Sequence, residues 1–301
     1  MLHYSSLSFT SSNSSFAECV RKHSDLFHTS HNISNCEING GTYNLRSHND
    51  LPAGKSYSSE SCSFTLTTAY RGNGGSICLT GTSANKESTS LIIKGCIFTS
   101  CSLVRVSSYS CGGAVYCSNG QRVEIIDSFF DRCGDATNVD QAGGVDLVFV
   151  SVPLLRDCTF SVCKSKEDAG GFGLYFCGNA VDWFPVQECR FLSCYCKDSS
   201  GAYEYNNNSC RVCSSCLYCS CTSEGSGGAS WIYFVRKPVF NEIAFSLYHN
   251  GGSLWGKDLF FNDAKINVIS HSFTTSTGTD RVYTVENINN HYPNWLPYVS
   301  D

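Results

Sequence analysis

Cys210, Cys213, Cys216 and Cys219 follow one another at intervals of three residues, close to the spacing with which thiolates hold an iron–sulfur cluster. Cys221 comes next at a different interval, and no proline follows it. In an extended chain Cys210 and Cys219 would lie up to about 30 Å apart, so the four meet only if the chain loops. Cys216 and Cys221 also belong to a repeat set out below. A structural role is therefore preferred, no cofactor is expected, and a metal held by Cys210, Cys213, Cys216 and Cys219 is the alternative.

Asp127, Asp157 and Glu188 each stand three residues before an aromatic of that repeat. If successive repeats stack, their carboxylates fall within about 5 Å of one another. Like charges that close raise a carboxyl pKa, and paired carboxylates perform acid/base work on glycosidic bonds or bind calcium. Arg132, Arg156 and Arg190 lie near enough in sequence to neutralise the column. A polar corner is the preferred reading. The alternative is a carbohydrate-active enzyme with Asp127, Asp157 and Glu188 as its catalytic groups.

Other motifs carry less. Gly251 to Lys257 approximates a phosphate-binding loop, but Asp258 stands where a magnesium-binding Ser or Thr belongs. Histidines occur at 3, 23, 28, 31, 48, 249, 271 and 291, leaving none between for a Ser-His-Asp or Cys-His site. His23, His28 and His31 read as part of a solvated segment rather than a metal site. Tyr203, Trp231 and Trp255 could stack on sugars if they face outward.

These residues are positioned by a repeated phrase, Cys-x-Phe-x-x-Cys. It occurs at Cys96 to Cys101, Cys158 to Cys163 and Cys189 to Cys194, with variants at Ser128 to Cys133 and Cys216 to Cys221. Weaker copies lie at Cys62-Ser63-Phe64 and at Phe245. A Gly-Gly-small phrase alternates with it, as at Gly74-Gly75-Ser76, Gly112-Gly113-Ala114 and Gly143-Gly144-Val145. From one central aromatic to the next the period is about 27–34 residues, which marks a solenoid. Apolar residues alternate as in a strand, at Val123 and Ile125, and then again at Ser128 and Phe130. The step of three between Ile125 and Ser128 places a bend near Ile126-Asp127. Short strands joined by bends cannot bury one face alone, so the coils must stack in parallel.

Stacking predicts columns. Phe98, Phe130, Phe160, Phe191 and Tyr218 form an internal aromatic column. Cys101, Cys133, Cys163, Cys194 and Cys221 form a cysteine column at the next turn. Gly-Gly pairs mark corners that need positive φ or close backbone approach. The expected fold is all-β, a right-handed parallel β-helix over 61–262. Residues 1–60 form an irregular N-terminal cap or degenerate first coil, and 263–301 a last coil and C-terminal cap.

Composition agrees. Charged residues are 16% of the 301, against about 25% in ordinary domains, while 19 Phe, 16 Tyr and 4 Trp supply a long core. Net charge is −5, which argues against nucleic-acid partners. No run approaches the roughly 18 apolar residues of a membrane span, and 1–16 does not read as a signal peptide. Twenty cysteines, an even number, point to an oxidising compartment, and Asn13, Asn32 and Asn207 lie in glycosylation triplets.

The alternation of Gly-Gly-Ala-Val with Phe-x-x-Asn/Cys resembles the polymorphic membrane proteins and their eukaryotic look-alikes, within the pectin-lyase-like superfamily. The likeness covers roughly 60–262. Cys101 and Cys133 stand where the family has Asn, and Gly256-Lys257-Asp258-Leu259-Phe260-Phe261 is similar to how such repeats close. The resemblance implies a right-handed β-helix in a cell-surface or extracellular protein of adhesive or structural role, with glycans or proteins as partners. The bacterial members' signal peptide and C-terminal membrane barrel have no counterpart in this sequence.

Overall fold

The computed structural model describes residues 56–70, 73–82, 88–104, 110–177, 185–207 and 211–225 with short gaps, and elsewhere mainly the backbones of individual strands. The fold is a parallel β-helix. Each coil lays its strands beside their equivalents in the coils before and after, and no α-helix occurs among the described residues.

The coil from Arg122 to Val150 shows how sequence sets the path. In strand Arg122–Ile126, Val123 and Ile125 point into the core while Arg122 and Glu124 pair outside at 2.6 Å. Asp127 then adopts φ 50°, a left-handed turn. The turn delays the inward phase by one residue, so Ser128 and then Phe130 of strand Phe129–Asp131 face inward. Arg132 repeats the device at φ 51° and sends Cys133 inward. Strand Val145–Val148 follows, and Phe149 at φ 56° turns the chain into the next coil. The bend expected near Ile126-Asp127 is thus a left-handed corner. It recurs in register at Ser61, Gly95, Asp157, Glu188 and Ser215.

The aromatic column is continuous. Phe130 pairs with Phe98 on one side and Phe160 on the other. Centroids step 4.6, 4.7, 4.7, 5.1 and 5.0 Å from Phe64 through Phe98, Phe130, Phe160 and Phe191 to Tyr218. The strand spacing imposes that distance, and each buried ring contributes roughly 2–3 kcal/mol of burial. Beyond Tyr218 the column passes to Leu247, because Phe245 pairs with Cys216 instead.

The glycine corners use both expected devices, at adjacent positions. Gly74, Gly112 and Gly227 have φ of 64–69°. The following residue faces the next coil's backbone: a Cβ on Gly143 would lie 2.3 Å from the Lys164 carbonyl oxygen and 2.4 Å from that of Gly170. Strand register also shifts one expected alignment. Val115 pairs with Val145, so Gly143-Gly144 matches Gly113-Ala114 rather than Gly112-Gly113.

Parallel pairing extends past the regular repeats. Ser30–Ser34 and Cys36–Tyr43 pair with Ser56–Glu60 and Ser63–Tyr70. Ile266–Thr274 pairs with Asn241–Tyr248. Pro293–Trp295 is antiparallel to Val282–Val285.

Candidate functional site

The cysteines form two interior ladders. Cys62, Cys96, Cys158, Cys189 and Cys216 follow the first corner of their coils, with Ser128 holding one rung. Cys101, Cys133, Cys163, Cys194 and Cys221 follow the second corner. Each thiol of the second ladder donates to the carbonyl of the ladder aromatic one coil earlier. Cys101 reaches Phe64 at 3.4 Å, Cys133 reaches Phe98 at 3.5 Å, and Cys163 reaches Phe130 at 3.4 Å. Cys194 reaches Phe160 at 3.6 Å and Cys221 reaches Phe191 at 3.3 Å. Burial pushes the Cys133, Cys194 and Cys221 thiols up; it acts on Cys101 and Cys163 too, but hydrogen bonding, led by that with the neighbouring Cys133, outweighs it and lowers both, Cys163 to about 5. No disulfide joins any of the 17 described cysteines. Cysteine density, read alone as a sign of an oxidising compartment, is accounted for by packing and hydrogen bonding in a narrow core.

The alternative metal set is not assembled. Cys213 and Cys216 face the core, whereas Cys219 pairs with Leu192 on the outward side of its strand. Cys210 lies outside the described residues. Among the described residues no three His, Cys, Asp or Glu converge on a metal position. The Gly251–Asp258 phosphate-loop match, the histidines and the glycosylation triplets fall on residues whose side chains are outside the description.

Asp127, Asp157 and Glu188 do stack in consecutive coils. The Asp127 amide donates to the Arg156 carbonyl, and the Asp157 amide to the Gln187 carbonyl, each at 3.1 Å. All three side chains are exposed and sit at left-handed corners. Arg156 approaches Asp157 at 3.4 Å, while Arg132 pairs with Asp131 at 2.7 Å. What the three share is the left-handed corner conformation. Aspartate is among the residues that tolerate φ near +50° best.

A second acidic group lies on the outer face of the strands that follow the glycine corners. There Cys78, Tyr116, Asp146, Gly173, Glu204 and Trp231 pair successively. They point away from the core, yet Asp146 is 0% and Glu204 8% exposed. The slot above Gly173 is filled by Tyr175, whose ring would lie 2.4 Å from a Cβ there. Asp168, Gln141 and Cys111 belong to the corner segments that precede these strands, and Cys111 donates to Gln141 Oε1 at 3.1 Å. Both Asp146 carboxyl oxygens, Glu204 Oε2 and the Tyr175 hydroxyl are buried without a hydrogen-bond partner. Burial, then the charge of Asp168, raises the Asp146 carboxyl well above its usual range, with Cys111 partly offsetting the shift. Burial, then the charges of Asp168 and Asp146, raises Glu204 likewise. Burial lifts Asp168 to about 6, partly offset by Gln141 and Tyr175. Sequence reasoning missed this group. The available signal was Gly173, the one residue without a side chain in a column otherwise filled by larger ones.

Tyr203 does not face outward. It is fully buried and stacks between Phe172 and Phe191, at 5.5 and 6.2 Å. Trp231 is half-buried beside Glu204, and Trp255 lies outside the described residues. Among the described residues the most exposed phenylalanine rings are instead Phe149 and Phe176, 46% and 48% accessible and stacked at 5.4 Å. Both occupy left-handed corners, at φ 56° and 51°. Bulky residues seldom adopt that conformation.

Comparison with protein-family models, with curated proteins and with solved structures gives no match.

Proposed function

We propose that this chain is a non-enzymatic repeat scaffold of a surface or secreted protein, with an adhesive or structural role toward glycans or proteins. The observation that carries this reading is the Phe149–Phe176 pair. Two large apolar rings are presented to solvent on successive coils, in a backbone conformation that aromatic side chains disfavour. The thiols, by contrast, are taken up in interior packing. Glycan and protein arrays probed with the wild type and with Phe149→Ala/Phe176→Ala test it. The expected result is binding that the double variant loses with its melting temperature unchanged. Turnover of an acidic polysaccharide, abolished by Asp127→Asn, Asp157→Asn and Glu188→Gln, would overturn it.

A second reading is a carbohydrate-active enzyme of pectin-lyase-like type. One observation favours it: Asp168, titrating at about 6, lies beside buried Asp146 and Glu204, as acid/base chemistry requires. Turnover lost on Asp168→Asn but retained by the three corner variants would support it.

A further inference from the structure

Asp146 places both carboxyl oxygens in a fully buried position without a hydrogen-bond partner. Two coils' spacing away on the same face, Glu204 does the same with Oε2, and the Tyr175 ring fills the intervening Gly173 slot. Burial, then the charges of Asp168, Glu204 and Asp146, raises the Tyr175 hydroxyl well above its usual range, so it lies within the same group. An ionised carboxylate buried this way costs several kcal/mol, whereas a neutral carboxyl costs far less and can donate.

The surrounding charges do not relieve this. The outer face brings Tyr116 and Cys78 on one side of Asp146, and Tyr175, Glu204 and Trp231 on the other. The corner segments bring Cys111, Asp140, Lys166, Glu167 and Asp168. Lys166 is the cation among them, and it is engaged by Glu167 at 2.7 Å and Asp140 at 3.6 Å. Asp140 Oδ2 in turn accepts from the Ser110 amide at 2.9 Å. The corner segments are tied together by backbone bonds from Gln141 to Ser110 at 3.2 Å and from Glu167 to Asp140 at 2.8 Å. The acids therefore lie where these corner segments meet the sheet.

We propose that Asp146, Asp168, Glu204 and Tyr175 form a proton-dependent clasp, which seats the corner segments 110–111, 138–142 and 166–169 on the outer face of the sheet and loosens as pH rises. The direction follows from linkage. A carboxyl raised on folding stabilises the folded form fully below its unfolded value, and that stabilisation is lost as pH rises through the folded value. For Asp168 the window runs from 3.8 to about 6, and Asp146 and Glu204 extend the loss to higher pH. The clasp is tightest in mild acid and weakens toward and beyond neutrality.

Hydrogen exchange of the whole chain, followed by mass spectrometry from pH 4 to 8 and corrected for intrinsic rates, reads this locally. Protection of peptides within 110–116, 138–146 and 166–175 is expected to fall as pH rises, while that of 90–99 and 122–131 stays level. In parallel, urea unfolding of Asp168→Asn should lack a roughly 30-fold change in equilibrium constant that wild type shows between pH 4 and 6. Asp146→Asn/Glu204→Gln, whose amides mimic the neutral acids, should flatten the local exchange profile. Protection in the corner peptides that does not change with pH, relative to the strand peptides, overturns the proposal. So does a pH profile that the amide variants leave unaltered. The wild-type exchange profile decides the matter even if a variant does not fold.

Discussion

Cys221 and Asn250 occupy the same rung position in consecutive coils and make the same bond. Cys221 Sγ donates to the Phe191 carbonyl at 3.3 Å, and Asn250 Nδ2 donates to the Tyr218 carbonyl at 3.2 Å. Asn250 Oδ1 also accepts the Cys221 amide at 2.9 Å, joining the two rungs. A thiol and a carboxamide are thus interchangeable in this ladder, because each supplies one donor to the carbonyl of the ladder residue one coil earlier. That equivalence lets Asn250, three residues after Leu247, stand where the earlier coils have Phe-x-x-Cys.

The first ladder shows the same tolerance for a hydroxyl. Ser128 takes the place of cysteine and donates to the Ile126 carbonyl at 2.9 Å. Cys158→Ser is therefore expected to cost no more than about 1 kcal/mol, since a donor remains. Cys158→Val has no donor and adds a branch to a closed core, and it should cost about 1–3 kcal/mol. Urea denaturation of the two variants gives the comparison, and equal losses would contradict it.

Phe130 is fully buried between Phe98 and Phe160, each 4.7 Å away. Truncation to Ala opens a ring-sized void that two strand-bound neighbours cannot close. The expected loss is about 3–5 kcal/mol by equilibrium unfolding. Phe129→Ala, one residue away and 38% exposed, should cost well under half as much.

Gly143→Ala is expected to destabilise by about 3 kcal/mol, because the added methyl meets two backbone carbonyls of later coils. Gly120→Ala is the control. Its methyl would come no closer than 3.3 Å, to the Cys117 sulfur. Thermal melting should separate the two sharply.

Val162 holds φ 55°, which a β-branched residue seldom adopts. Val162→Asn should raise stability by about 1 kcal/mol by relieving that cost. A lower melting temperature would show that packing of the Val162 side chain outweighs its backbone strain.

Much of this architecture was legible in the sequence because its columns are written in residues of one kind. Phe98, Phe130, Phe160 and Phe191 recur with their flanking cysteines, and the step of three after Ile125 located the first corner. The second corner was marked only by the cysteines that follow it, since Ser100, Arg132, Val162, Ser193 and Ser220 share the left-handed conformation but no chemistry. The outer-face acids were hidden for another reason. Asp146 sits at an outward strand position and reads as solvent-facing. Its burial depends on Tyr175 folding over Gly173 and on corner residues such as Asp168, a relationship between coils that no single repeat displays. Tyr203 failed as an outward aromatic because the one-residue shift at the glycine corner places it inside.

The ladder cysteines are interior rungs rather than cross-links or ligands. Differential alkylation followed by mass spectrometry, without any reductant, tests this most directly. The native protein should leave the rungs from Cys62 to Cys221 unmodified, and the same protein unfolded in urea should alkylate every one of them. Ladder cysteines that stay blocked after unfolding, and are released only by reduction or chelation, would contradict it.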